Sequence, residues 1–174
     1  LSDGKQPLFM WILMFFVKRM SDPLFAGRLL SAFSGVVSMI GIFFLTYYIF
    51  KSKLSALIVS LLWALSPLTL FFDRMALVDS LLTCFGIWTL LLSLILASSL
   101  RLDMAMILGF VLGLASLTKS PALFFAALIP VAVILLKKPK DILKYTGLLL
   151  VAYLIAFGMY NIQRLGPNFG QLTA

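Results

Sequence analysis

Isolated charged side chains beside long apolar runs are the residues of this sequence best suited to chemistry. Three are cations, Lys5, Arg74 and Lys119, and two carboxylates, Asp3 and Asp79, lie in the same short polar segments. Ionisable groups next to an apolar phase are costly, so they tend to pair or to serve a ligand. Lysine and arginine suit a phosphate, and an aspartate can orient them or meet a sugar hydroxyl. The set predicts a site for a lipid with a phosphate head group, in which the three cations bind the phosphate and the two carboxylates support the site.

Each of these residues also has a purely structural interpretation. Asp79 directly precedes a predicted helix and can serve as its N-cap. Lys119 can be a snorkelling anchor, and Lys5 can be an ordinary solvated lysine. Arg74 can simply pair with Asp73. The sequence leaves these alternatives open.

The side-chain inventory excludes several kinds of catalytic centre. The chain has no histidine, its six acidic residues are all aspartate, and Cys84 is its single cysteine. Histidine is the commonest metal ligand and the commonest general base near neutral pH. We therefore predict no metal site and no cofactor, because nothing in this segment supports a divalent metal. A disulfide within the chain is impossible.

The composition indicates an integral membrane protein. Hydrophobic residues make up 63% of the 174 residues, only 11% are charged, and the mean hydropathy is +1.13. A soluble domain of this size needs far more polar surface, so the excess apolar side chains must face lipid. The net charge of +8 comes from basic residues placed singly or in short clusters between apolar runs. That pattern indicates membrane topology and not nucleic-acid binding.

The apolar runs predict an all-α membrane protein, a single transmembrane bundle over residues 1–174. About six runs approach the roughly 20 residues that cross a bilayer core. The predicted spans are 29–50, 54–72, 80–100, 104–118, 122–136 and 145–160. An apolar segment over 7–20 is too short to span, which predicts a juxtamembrane helix lying at the interface. Because the sequence opens on Leu1 and not on Met, we expect it to be a piece of a longer protein.

Smaller signals locate helix ends and contacts. Asp22 followed by Pro23 predicts an N-cap with proline in the first turn of a helix. Gly109 and Gly113 have the spacing that lets two membrane helices approach closely. Pro67 lies near the far end of the span predicted over 54–72.

The basic residues also predict an orientation. One predicted face collects Lys51, Lys53, Arg101, Lys137, Lys138, Lys140 and Lys144. The opposite face carries as many basic residues, but fewer once the N-terminal stretch through Arg28 is left out of the count. The remaining bias makes the first face cytoplasmic, so Asp79 and Lys119 are predicted on the extracytoplasmic side.

Four short segments resemble a known family, the bacterial relatives of the protein O-mannosyltransferases (family 39 type), which include the aminoarabinose transferases. Asp3-Gly-Lys-Gln-Pro-Leu-Phe is similar to their Lys-Pro-Pro-Leu signature, and Ala26-Gly-Arg-Leu-Leu-Ser-Ala to Ala-Arg-Leu-Pro-Ser-Ala. Asp73-Arg-Met-Ala-Leu-Val-Asp79 resembles Gly-Arg-Leu-Ala-Leu-Thr-Asp. Gly113-Leu-Ala-Ser-Leu-Thr-Lys-Ser-Pro121 resembles Gly-Leu-Ala-Phe-Leu-Thr-Lys-Gly-Pro.

The resemblance implies the GT-C membrane glycosyltransferase fold. It implies transfer of a sugar from a polyprenyl-phosphate carrier to an extracytoplasmic acceptor, at the extracytoplasmic face of the inner membrane of a prokaryote. In that scheme Lys5 and Lys119 contact the donor phosphate and Asp79 supports the site. The catalytic base belongs to a segment before Leu1, so the chain alone is expected to be inactive.

Two departures from the family pattern narrow this expectation. Gln6 replaces the first proline of the signature, and Gly4 stands where the aminoarabinose branch has glutamate. With no histidine either, a metal-bound subtype and lipid A as acceptor are not favoured. The competing hypothesis is a non-enzymatic multi-span protein such as a transporter, which should show paired broken helices or an internal repeat. No repeat is visible in the sequence.

Overall fold

The computed structural model describes residues 7–17, 22–136 and 141–164, with the side chains of 135–136 and 162–164 left aside. This part of the chain is helical and contains no β-strand, which confirms the all-α prediction. Its helices are α1 Leu8–Val17, α2 Pro23–Phe50, α3 Lys53–Leu65, α4 Pro67–Arg74, α5 Val78–Ser99, α6 Leu102–Ser116, α7 Ala122–Leu136 and α8 Ile142–Arg164.

Among the described residues, three helices are long and apolar enough to cross a membrane. They are Pro23–Phe50, Val78–Ser99 and Ile142–Asn161. The pair α3 and α4 meets the same test when taken together, as a broken span or a re-entrant loop. The other helices are apolar but shorter, so the chain is an all-α membrane protein while the count of six spans stays a prediction.

The segment over 54–72 forms two helices and not the single span expected there. Ser66 separates them in an extended conformation (φ −60°, ψ 128°), and Pro67 opens α4. A residue before proline is disfavoured in the α conformation, and proline cannot donate a backbone hydrogen bond. The two axes therefore differ by 58°.

The start of α2 follows the sequence prediction. The Asp22 carboxylate accepts a hydrogen bond from the Leu24 amide at 2.9 Å, and Pro23 occupies the first helical position. The N-cap prediction is confirmed. At the other end Lys51 adopts a left-handed conformation (φ 57°), and its amide donates to the Tyr47 carbonyl.

The first of two compact units is Pro7–Leu91. Within it α2 packs against α1, α3 and α4. Phe9 of the short helix α1 is buried with Leu30 and Leu81, so α1 is pressed against α2 and α5. Where α1 lies relative to a membrane remains a prediction.

The second unit comprises residues 92–136 and 141–164, where α6 packs along α8. A Cβ added to Gly109 would lie 2.6 Å from the Ala152 carbonyl oxygen, and one added to Gly113 would lie 2.5 Å from the Met159 sulfur. Only glycine fits at these contacts. The predicted packing role of the two glycines is confirmed.

A proline inside α7 is compensated by a neighbouring helix. Pro130 has no amide proton for the Ala126 carbonyl, its expected helical partner. The Tyr153 hydroxyl of α8 donates to that carbonyl at 2.6 Å. Freed backbone groups in membrane helices need such partners, so this contact ties α8 to α7.

Candidate functional site

A cavity with several polar side chains in its lining lies among α2, α3, α4 and α5 of the first unit. Its volume is about 240 Å³. Its lining residues are Ser38, Trp63, Leu68, Thr69, Phe72, Asp73, Asp79, Ser80 and Thr83. Two carboxylates and four hydroxyl groups in one small cavity are unusual for a membrane helix bundle, where polar groups are expensive.

The junction between α4 and α5 brings the two carboxylates to the cavity. Asp73 lies in the last turn of α4 and Asp79 in the first turn of α5, on either side of a three-residue link. The Ser31 hydroxyl of α2 donates to the Leu77 carbonyl at 3.1 Å and so holds this link against α2. Because α5 begins at Val78, Asp79 is not the N-cap of that helix, and the N-cap interpretation is wrong.

Asp73 reaches the cavity because α2 carries a glycine opposite it. A Cβ added to Gly35 would lie 2.0 Å from Asp73 Oδ2. The suggestion that Arg74 merely neutralises Asp73 is wrong, since within the described residues no ion pair joins them. Arg74 is exposed and does not line the cavity.

The hydroxyl groups of the cavity fall into two kinds. Ser38 donates to the Ser34 carbonyl at 2.8 Å and Thr83 to the Asp79 carbonyl at 2.9 Å. Their protons are therefore engaged, and only their lone pairs face a ligand. Ser80 differs, because its hydroxyl is buried without a hydrogen-bond partner, although the Asp73 carboxylate is a near neighbour.

The indole nitrogen of Trp63 is a second unsatisfied donor in the lining. Its N–H is buried and has no partner among the described residues. Buried donors without partners are rare in native proteins and often mark a place that a ligand or water occupies. No group of three or more histidine, cysteine or acidic side chains in the described residues is arranged to hold a metal ion.

Comparison with known proteins identifies the family. The family model described as dolichyl-phosphate-mannose-protein mannosyltransferase matches residues 4–160. The chain belongs to this family. No curated protein and no solved structure matched the chain. Membership in the mannosyltransferase family makes the chain part of a membrane glycosyltransferase and implies a lipid-linked sugar donor.

The predicted site residues of this mannosyltransferase-family chain are placed as follows. Asp79 lines the cavity. Lys119 belongs to the second unit, in the turn between α6 and α7, where it is half-buried and engaged in contacts. Lys5 and Asp3 lie outside the described residues. The convergence of Lys5, Asp79 and Lys119 therefore stays a prediction.

The backbone around Lys119 is well anchored. Its amide donates to the Ala115 carbonyl at 3.3 Å, and its own carbonyl accepts from the Ala122 amide at 3.0 Å. The adjacent Thr118 is fully buried and donates to the Leu114 carbonyl at 2.8 Å. A lysine held in this way occupies a defined position, unlike one on a loose loop.

Sequence reasoning missed part of the cavity. Asp73 was considered only as a partner for Arg74, and Gly35, Trp63 and Ser80 were not considered. One available signal was the run of small residues along α2, namely Gly27, Ser31, Ser34, Gly35, Ser38 and Gly41, which are buried. The other was Pro67, whose helix break positions α4 over that run.

Proposed function

We propose that the protein transfers a sugar from a polyprenyl-phosphate carrier to an acceptor on the extracytoplasmic side of a prokaryotic inner membrane. The family match over residues 4–160 carries the proposal, because it covers both the cavity and the segment around Lys119. The apolar helices support a carrier that stays in the membrane.

The reaction would be a displacement at the anomeric carbon. A carboxylate would take the proton of the acceptor, the acceptor oxygen or nitrogen would bond to the sugar, and the bond to the carrier phosphate would break. Cations would stabilise the charge on the leaving phosphate. We propose Lys119, Lys5 and Arg74 for that role, with Asp79 and Asp3 as supporting groups.

The residue that acts as the catalytic base in this scheme is not assigned within the chain. The resemblance assigns it to a segment before Leu1, and on that basis we propose that the purified 174-residue chain shows no turnover. Within the described residues Asp73 forms no ion pair with Arg74, so its carboxylate is available as a base. Turnover by the purified chain that disappears in Asp73→Asn or Asp79→Asn would make that residue the base and contradict this proposal.

A transporter is the second candidate, and one observation favours it. The 58° break between α3 and α4 beside a polar cavity resembles the broken helices at transporter binding sites. Transporters carry two such broken helices. The described residues contain one, formed by α3 and α4. The family match favours the transferase.

Loss of the lysine at position 119 tests the transferase proposal. Membrane vesicles that contain the full-length protein would be supplied with a polyprenyl-phosphate sugar labelled in the sugar, and transfer to the acceptor would be followed. Lys119→Met should lower the rate about 100-fold, because a cation on the leaving phosphate is lost. Lys53→Met is the matched control, since Lys53 is exposed at the start of α3. Equal rates in both variants would reject the role of Lys119.

The orientation has its own test. In a Cys84→Ser background, Ser52→Cys should react with an impermeant thiol reagent only from the cytoplasmic side. Ser120→Cys should react only from the opposite side, because basic clusters favour the cytoplasm. Labelling of both positions from the same side would contradict the proposed topology.

A further inference from the structure

The cavity of the first unit presents hydrogen-bonding groups that the protein leaves unsatisfied. Two are donors, the Ser80 hydroxyl and the Trp63 indole N–H, and Ser80 is only 4% exposed. The Asp73 carboxylate is an acceptor with no ion pair among the described residues. The lone pairs of Ser38 and Thr83 add further acceptors, since their protons are already engaged.

This combination restricts the chemistry of a ligand. An ammonium group donates hydrogen bonds but cannot accept any, so it would leave the Trp63 indole N–H unsatisfied. A phosphate is an anion, so the carboxylates of Asp73 and Asp79 would repel it. A hydroxyl group donates and accepts at once, so one hydroxyl can accept from Ser80 while it donates to Asp73.

The size of the cavity restricts the ligand further. Its volume of about 240 Å³ is below the roughly 300–1,000 Å³ of pockets for drug-sized ligands. It suits one sugar ring. Trp63, Leu68 and Phe72 supply apolar surface for the faces of such a ring.

We propose that this cavity binds a single neutral sugar ring through its hydroxyl groups, and that Asp73 is the residue that selects the ring. The assignment of this sugar as a substrate rests on the proposed transferase function. This arrangement requires Gly35, because any larger residue there would displace the Asp73 carboxylate.

Direct binding tests the proposal without relying on turnover. The purified protein in detergent would be titrated with neutral methyl pyranosides, with a protonated methyl glucosaminide and with inorganic phosphate, while tryptophan fluorescence is followed. At least one neutral pyranoside should give a saturable change that disappears in Trp63→Phe. Asp73→Asn should raise its Kd about tenfold, because a hydrogen bond to a charged group is lost. Asp103→Asn, an exposed carboxylate of the second unit, should leave the Kd unchanged.

Gly35→Ala gives a second variant, in case Asp73→Asn does not fold. It keeps the carboxylate but moves it, and it should also weaken pyranoside binding. No saturable signal with any pyranoside, equal Kd values in wild type and both variants, or binding of the amino sugar or phosphate alone would overturn the proposal.

A parallel transfer assay on the full-length protein, including any segment before Leu1, separates this proposal from the transferase function. Pyranoside binding that depends on Asp73, in a protein that transfers no polyprenyl-linked sugar, would support the sugar site and reject the transferase. Transfer that is unaffected by Asp73→Asn, with no pyranoside binding, would reject the sugar site alone.

Discussion

Helices α2 and α6 each carry a line of small residues, yet the two lines face different surroundings. Gly109 and Gly113 of α6 lie against the continuous helix α8, at the Ala152 backbone and the Met159 side chain. Gly35 of α2 lies against a carboxylate at the end of a short helix. The same small-residue pattern therefore makes a tight helix contact in one region and room for a polar group in the other.

The two regions also differ in whether the polar groups near a proline find hydrogen-bond partners. In the second unit Pro130 frees the Ala126 carbonyl, and Tyr153 satisfies it. In the first unit Pro67 breaks a helix and sets α4 over the small face of α2, beside buried donors that stay unsatisfied. The carbonyl freed by Pro130 is therefore satisfied within the protein, whereas the donors beside Pro67 remain available to a ligand.

The largest expected effect concerns the close contact between α6 and α8, which a methyl group added to a glycine of either helix can test. Gly109→Ala should lower the free energy of unfolding by about 2–3 kcal/mol, because the new Cβ meets backbone atoms of Ala152 that cannot move alone. Gly147→Ala is the control, since nothing lies within 4 Å of its added Cβ. Thermal unfolding in detergent measures both, and equal midpoints would contradict close packing of α6 on α8.

Two tyrosines of α8 offer a matched pair for the polar contacts. Tyr153→Phe should destabilise the protein by about 1–2 kcal/mol, because the Ala126 carbonyl loses its donor. Tyr145→Phe should be close to neutral, since the Tyr145 hydroxyl is buried without a partner among the described residues. The same unfolding assay compares them, and a larger loss in Tyr145→Phe would overturn the role given to Tyr153.

The equivalent change at Gly35 should have a smaller effect on stability. Its added Cβ meets the far end of the Asp73 side chain, which can rotate away, so we expect a loss below about 1 kcal/mol. The double variant Gly35→Ala with Asp73→Gly should regain the wild-type melting midpoint. A loss as large as that of Gly109→Ala, or no recovery in the double variant, would show that Gly35 serves backbone packing instead.

The smallest expected effect belongs to an exposed ion pair at the start of α6, just before the predicted span 104–118. Arg101 hydrogen-bonds to Asp103 at 2.7 Å and 3.1 Å, and these bonds lower the pKa of that carboxyl. A carboxyl with a lower pKa in the folded state stabilises the fold above its unfolded pKa of about 3.9 and loses this contribution as the pH falls. Wild type and Asp103→Asn should therefore differ slightly in melting midpoint at pH 7 and converge below about pH 4. A difference that grows as the pH falls would contradict this sign.

Several features of the fold follow from short stretches of sequence. The apolar runs predict the helices, because each needs only its own residues and a lipid surrounding. The caps at Asp22 and Pro23, and the packing role of Gly109 and Gly113, depend on neighbours a few residues away or on a repeated spacing. Motif resemblance led to the family for the same reason, since each motif is a continuous segment.

The cavity could not be predicted from short stretches of sequence. Whether Asp73 pairs with Arg74 or turns toward Gly35 depends on the angle at Ser66, which is set by the packing of α4 on α2. The missing partners of Ser80 and Trp63 are likewise properties of three dimensions, because a hydroxyl or an indole finds or lacks a partner only when distant segments meet.

The sequence by itself determined a helical membrane protein, the start of α2 and the family, because those depend on hydropathy, local backbone chemistry and continuous motifs. Only the tertiary structure decided which carboxylates share a cavity and which glycine makes room for one of them. The physical reason is that a site within α2 to α5 is formed by residues up to about 45 positions apart, Ser38 and Thr83 among them. Their proximity results from how the helices pack, and no local rule of the chain specifies it.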